Sequence, residues 1–176
     1  MLMIKSNLPI ILIGFMGSGK TTIGQEFAQL NDLTFVDLDR YIVETMNLSI
    51  PEIFERYGEK EFRKIELKSL KEVIKKYDII ATGGGIVESE RSLNYLNSIN
   101  HPIIWIDAPF DTLYTRIKND KNRPNAFGQN YNTVKNLYFK RYSRYNEIAF
   151  IKLSSNIPFD RTLNELNQFI NADDQY

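Results

Sequence analysis

The residues with the most evident chemistry lie near the start of the chain, where Gly14-Phe15-Met16-Gly17-Ser18-Gly19-Lys20-Thr21 follows a short apolar run. The spacing is G-x-x-x-x-G-K-[ST]. Glycines so placed let successive backbone N–H groups turn onto phosphate oxygens, while the lysine reaches the β- and γ-phosphates and the threonine hydroxyl meets Mg²⁺. A helix starting here would point its positive end at the same anion. Gly17, Ser18, Gly19, Lys20, Thr21 and Thr22 are therefore the expected contacts to a nucleotide's phosphates, with Thr21 also on the metal.

Leu33-Thr34-Phe35-Val36 then reads as a short strand that ends in Asp37-Leu38-Asp39-Arg40. In extended backbone, residues two apart share a face, so Asp37 and Asp39 are expected to project together. On parallel strands they would lie at the same carboxyl edge as the phosphate loop, where open α/β sheets bind ligands. A magnesium-bound triphosphate needs a carboxylate near the metal, and a hydroxyl nucleophile needs a base. The competing role is capping, with Asp39 ahead of a helix at Arg40-Tyr41-Ile42-Val43. One residue can serve both.

Three further stretches carry charge or glycine in quantity. Glu59 to Glu66 is dense in both signs and ordinarily reads as a solvated helix face, with Arg63 paired to Glu59 and Glu66. Gly83-Gly84-Gly85 follows an apolar run, and glycines there let a ligand approach the main chain. Lys118 to Tyr131 is polar and marked by glycine and proline, either a surface loop or a lid that delivers Arg123 to a transferring phosphate.

The elements needed to position these residues can be read from the same sequence. Pro9-Ile10-Ile11-Leu12-Ile13, Asp78-Ile79-Ile80-Ala81-Thr82 and Ile103-Ile104-Trp105-Ile106-Asp107 are continuous apolar runs of the kind buried on both faces of a parallel sheet. Ala149-Phe150-Ile151-Lys152-Leu153 adds a fifth strand. Ile23, Phe27 and Leu30 recur at helical spacing after the phosphate loop. Tyr41 to Tyr77 holds no strand; Ser49, Pro51 and Glu52 open a helix there, Gly58 ends it, and a longer helix from Glu59 buries Phe62, Ile65, Leu70, Val73, Ile74 and Tyr77. This is more than a crossover needs and suggests a substrate-covering insertion. Ser89 opens a further helix, another runs from Ala108 to near Lys118, and Thr133 to Tyr145 and Pro158 to Ala172 complete the set.

Composition narrows the classes. At 176 residues the chain is expected to form one domain, burying roughly 70% of its unfolded surface. With 22 basic and 22 acidic residues the net charge is zero, so no general attraction to nucleic acid or to anionic membrane follows, although aromatics and cations mix along Lys135 to Arg144. The absence of cysteine excludes a disulfide framework and a thiol nucleophile, and a single histidine, His101, expected in an exposed loop, makes a transition-metal site improbable. The apolar run before the glycines is shorter than the roughly 7–15 residues of a secretory h-region, and no stretch approaches the ~20 residues of a membrane span. A cytoplasmic, monomeric protein is expected.

Taken together, the phosphate loop, Asp37-Leu38-Asp39, Gly58-Glu59 with Phe62-Arg63 and Glu66, Gly83-Gly84-Gly85, Arg123-Pro124 and Arg141 closely resemble the shikimate kinase family over nearly the whole chain. The resemblance implies an α/β fold of the nucleoside-monophosphate-kinase-like kind: a five-stranded parallel sheet flanked by helices, with a substrate-binding insertion at about 39–77 and a lid at about 118–131. It implies transfer of the ATP γ-phosphoryl group to the 3-hydroxyl of shikimate, on the route to chorismate and the aromatic amino acids. By position, Asp39 would hold the shikimate hydroxyls and act as base, Arg63 and Arg141 would pair with its carboxylate, and Gly84 would contact the ring hydroxyls. Asp37 and Thr21 would serve Mg²⁺, Lys20 the phosphates, and Arg123 the transferring group; Lys20, Asp39 and Arg123 are the implied catalytic residues.

The chain also departs from the family pattern. Arg123-Pro124 is followed by Asn125-Ala126 rather than Pro-Leu-Leu, and Ser143-Arg144-Tyr145 stands where Pro-Leu-Tyr is usual, so Arg144 competes with Arg141. No counterpart of the adenine-side arginine stands in Ser154-Ser155-Asn156-Ile157-Pro158. Two alternatives stay open at this point: a kinase for another small metabolite such as gluconate, and a nucleotide-binding module without turnover.

Overall fold

A computed structural model describes residues 9–120 and 128–172. Its centre is a five-stranded sheet in the order β2-β3-β1-β4-β5, formed by Ile10–Ile13 (β1), Phe35–Asp37 (β2), Ile79–Ala81 (β3), Ile103–Asp107 (β4) and Ile151–Ser154 (β5). Every pairing is parallel, with Ile11 opposite both Ile80 and Ile103. All the carboxyl ends therefore share one edge. The five apolar runs lie where the sequence puts them, with boundaries moved by one or two residues.

Alternation along the strands sends successive side chains to opposite faces. Ile10, Leu12, Ile104 and Ile106 pack with Ile23 and Phe27 of α1 (Lys20–Leu30) and with Leu163, Leu166 and Ile170 of α7 (Phe159–Ala172). Ile11, Ile13, Ile80 and Trp105 face the other way, toward α2 (Leu38–Met46), α3 (Ile50–Val73), α4 (Glu90–Ser98), α5 (Phe110–Ile117) and α6 (Tyr131–Ile148). Leu30 departs from expectation. The buried stripe of α1 runs through Ile23, Gly24, Phe27 and Ala28 and continues at Asn31, so Leu30 falls beside it and is 61% exposed.

The insertion comprises α2 and α3, which pack on each other. Ser49 caps α3 in a reciprocal box with Glu52, and Pro51 occupies the first turn. Gly58, at φ 76 and ψ 165, interrupts the helical backbone, so α3 is two helices meeting at a kink; no side chain blocks the position, and the positive φ alone asks for glycine. The second part ends at Val73 rather than Tyr77. A 3₁₀ turn at Ile86–Glu88, not foreseen from sequence, follows the glycine triplet. No described helix is long and apolar enough to cross a membrane.

Candidate active site

The site forms at the carboxyl edge, beginning where β1 runs into the phosphate loop. Gly19 precedes α1 at φ 89, and Lys20 is the first residue of the helix. Lys20 is buried, and its Nζ donates to the Gly14 carbonyl at 2.9 Å and the Phe15 carbonyl at 3.0 Å, which holds the ammonium inside the loop. Gly17, Ser18, Gly19, Lys20, Thr21 and Thr22 line a cavity of about 460 Å³ in front of the helix.

Arg116 of α5 closes one wall of that cavity, donating to the Gly17 carbonyl at 3.0 Å and to the Ser155 carbonyl at 3.3 Å. The cation beside Ser154 to Pro158 thus comes from α5 and not from that segment itself. Its signal is a contact between residues far apart in the chain, which no local spacing carries.

Thr21 and Asp37 come together as expected. The threonine hydroxyl donates to Asp37 Oδ2 at 2.6 Å, and Asp37 Oδ1 accepts from the Arg40 N–H at 3.1 Å. Asp37 and Asp39 do not share a strand face, contrary to expectation. The strand ends at Asp37, which is the N-cap, and Asp39 lies in the first helical turn. Capping falls to Asp37, not Asp39. A hydroxyl beside a carboxylate is a hard oxygen pair of the type that suits Mg²⁺, and the two fit that ion.

Asp39 points instead toward the glycine triplet. A Cβ on Gly83 would lie 2.6 Å from Asp39 Oδ1 and 3.0 Å from Glu66 Oε1, so two carboxylates converge above a residue that must lack a side chain. Gly84 packs against the phosphate loop, its missing Cβ only 2.9 Å from the Met16 nitrogen, and its carbonyl accepts from the Tyr145 hydroxyl. The close approach needed at this strand end thus comes from backbone on one side and carboxylates on the other.

Arg63 overturns the reading of Glu59 to Glu66 as a solvated face. It is 8% exposed, donates to Glu59 and Glu66 at 2.9 Å each, and lies against Gly85, where a Cβ would fall 2.3 Å from its guanidinium. A charged side chain looks solvated from its spacing alone, yet the buried face of this helix is built from an ion pair. Burial pushes the Glu66 carboxyl up to about 7, with Asp39 adding to the rise and Arg63 and Arg141 opposing it. Asp39, Arg63 and Arg141 are therefore all close enough to act on one buried group. Glu66 Oε1 and Arg63 Nε lack hydrogen-bond partners among the described residues.

Arg141, on α6, is buried as well. Its Nε donates to Glu88 Oε1 at 2.7 Å, and its guanidinium lies 5.6 Å from the centroid of Phe15 in the phosphate loop. Burial alone would raise the Glu88 carboxyl, but hydrogen bonds and charge from Arg141 and Lys140 more than offset it and hold it below the usual range. Arg144 turns away, to the Val87 carbonyl and Glu90. Between the two arginines, Arg141 is the one at the site. Arg123, the expected lid residue, lies outside the described residues, as do residues 121–127 in general. His101 is half-buried rather than exposed, and burial lowers its pKa, but it sits before β4, at the edge opposite the site.

A phosphate loop at the end of β1, a hydroxyl–carboxylate pair beside it and an acid–arginine cluster facing it define a P-loop phosphotransferase with a nucleoside-monophosphate-kinase-like fold. The model of the shikimate kinase family matches residues 16–171. The shikimate kinase of Staphylococcus haemolyticus is 52% identical over 97% of both chains, and that of Staphylococcus aureus 48% identical over 96% of this chain and 97% of its own. Among solved structures, a shikimate kinase from Acinetobacter baumannii in complex with shikimate superposes with a TM-score of 0.87 at 30% identity, covering 98% of this chain and 99% of its own. The enzyme from Aquifex aeolicus follows at 0.81 and 35%, covering 94% and 98%. The chain belongs to the shikimate kinase family, and as such it is an ATP-dependent, Mg²⁺-using kinase that phosphorylates shikimate.

Proposed function

We propose that the group phosphorylated is the 3-hydroxyl of shikimate and that Asp39 is the base that orients it and takes its proton. The observation that carries this reading is the meeting of Asp39 and Arg63 at the glycine triplet, with Arg141 lying over Phe15 of the phosphate loop. A polyol carboxylate needs cations with a planar fork for its carboxylate and an anionic acceptor for its hydroxyls. Arg63 and Arg141 supply the first. Asp39, in the first turn of α2, supplies the second.

The remaining roles follow from the loop. Backbone N–H groups from Gly17 to Thr22 hold the phosphates, and Lys20 exchanges its carbonyl partners for phosphate oxygens. Arg116 borders the nucleotide on the side away from the acceptor. Thr21 and Asp37 would hold Mg²⁺, which when bound neutralises charge on the β- and γ-phosphate oxygens. Gly84 would meet the ring hydroxyls through its N–H, its carbonyl being taken by Tyr145, and Arg123 meets the transferring group. The chain is read as one kinase domain that acts as a monomer. A cytoplasmic location fits its need for ATP.

A coupled ADP-release assay with shikimate, gluconate, a nucleoside monophosphate or no acceptor tests the acceptor, run beside the Asp39→Asn variant. Turnover with shikimate alone and a kcat at least ~100-fold lower in Asp39→Asn, with ATP binding kept, is the expected result. Near-normal turnover in that variant would remove Asp39 from the role of base.

A further inference from the structure

Beside this pocket, with Arg63 on the border of both, a groove of about 590 Å³ runs between α3 and the start of α4. Lys60, Lys64, Lys68 and Lys71 recur along α3 at i, i+4, i+8 and i+11, which makes one stripe. All four line the groove, and Arg91 of α4 lines its other wall. The glutamates of α3, which include Glu61, Glu66 and Glu72, are absent from the lining.

The charge there is out of balance. Among the lining residues only Glu90 carries a carboxylate, and Arg144 engages it. Lys64 pairs with Glu61 at 2.7 Å and Lys71 lies over the Tyr95 ring, while Lys60, Lys68 and Arg91 have no ion-pair partner among the described residues. Like charges at this spacing weaken a helix, so stability does not favour the stripe.

Two independent features point the same way. Ser89, the N-cap of α4, borders the groove, so the positive end of that helix adds to its field. Arg63 borders it too, its side chain more than nine-tenths buried and its guanidinium held in place by Glu59 and Glu66. Leu67 and the lysine stems give the groove an apolar floor. Its volume falls within the roughly 300–1,000 Å³ of small-molecule sites.

We propose that this groove is a second, inhibitory site for a small organic anion with two or more carboxylate or phosphate groups on an apolar body. Its occupant draws on Arg63 and so weakens acceptor binding. That consequence rests on Arg63 holding the shikimate carboxylate; binding in the groove does not.

The test uses trimesate, a benzene ring with three carboxylates, titrated calorimetrically into the whole chain saturated with ADP and Mg²⁺ at fixed ionic strength. Trimesate binds the wild type, and the Lys68→Glu/Arg91→Glu variant binds it at least ~10-fold more weakly, while without trimesate the variant keeps the wild-type kcat and both KM values. In steady state trimesate raises the KM for shikimate in the wild type and not in the variant. No binding to the wild type, or equal binding to both proteins, overturns the site; equal binding locates trimesate in the acceptor pocket instead. Groove binding with an unchanged KM overturns the inhibitory role. Lys68→Gln, which asks less of the fold, gives the same direction with a smaller change. The role of Arg63 is tested separately by its own substitution.

Discussion

Arg63 Nη1 donates to Glu66 Oε2 at 2.9 Å in a place where Glu66 keeps only 1% of its side-chain surface exposed. A buried ion pair of this kind contributes little net stability, yet removing one partner strands the other at a cost of about 3–5 kcal/mol. The pair is therefore a constraint on position: it holds the guanidinium beside Gly85, on the side facing the proposed acceptor.

Stability and substrate affinity should separate on this pair. Arg63→Ala is expected to raise the KM for shikimate by roughly 10- to 150-fold, the loss of a charge-assisted hydrogen bond worth about 1.5–3 kcal/mol, and also to destabilise the fold. Adding Glu66→Gln removes the stranded carboxylate. The double variant should recover much of the midpoint in urea denaturation while its KM stays high. Recovery of both would return Arg63 to a purely structural role.

Glu66 also makes stability depend on pH. Its carboxyl titrates near 7 in the folded chain and at an ordinary, lower value once unfolded. Between those two values the folded state holds a proton that the unfolded state has released, so this group's contribution is complete below the unfolded pKa and is lost as pH rises to about 7. Denaturation midpoints of the wild type and Glu66→Gln, measured across that window, should show the difference shifting against the wild type as pH rises. A constant difference would mean that Glu66 stays ionised throughout.

Much of the site was legible where the signal is local. The phosphate loop, the capping box at Ser49 and the break at Gly58 each depend on neighbours in sequence, and each lies where the spacing puts it. Asp37 and Asp39 were found for a reason that fails, because the strand stops one residue before the helix begins, and alternation does not extend across that boundary. The burial of Arg63 was hidden because charge density on a helix reads the same whether water or a glycine triplet lies opposite it. Arg116 and Glu88 gave no signal at all, since their partners Gly17 and Arg141 are reached only through the folded sheet.

The Thr21 and Asp37 pair can be tested for metal without disturbing its geometry. Asn is as good an N-cap as Asp; its oxygen keeps the Arg40 N–H bond, and its NH₂, standing where Oδ2 accepted from Thr21, reverses that bond so that the threonine hydroxyl accepts. Asp37→Asn therefore removes the charge while keeping the cap. The Mg²⁺ concentration for half-maximal rate should rise about tenfold or more, with the KM for shikimate unchanged. Identical Mg²⁺ titrations in the two proteins would assign the metal to other ligands.

Gly85→Ala probes position without altering charge. Gly85 has φ −100 and ψ 7, open to alanine, so the backbone does not resist the change. The new Cβ would lie 2.3 Å from Arg63 Nη2 and 2.7 Å from its Cζ, which forces the guanidinium to move. Moving it loosens the buried pair with Glu66, so the melting temperature should fall as well, though by less than in Arg63→Ala, where the carboxylate loses its partner altogether. The displaced fork would no longer meet a carboxylate on two hydrogen bonds. A KM for shikimate raised about tenfold with kcat and the KM for ATP near normal is the expected outcome. Wild-type kinetics in a folded Gly85→Ala protein would show that the placement of Arg63 does not matter to the acceptor.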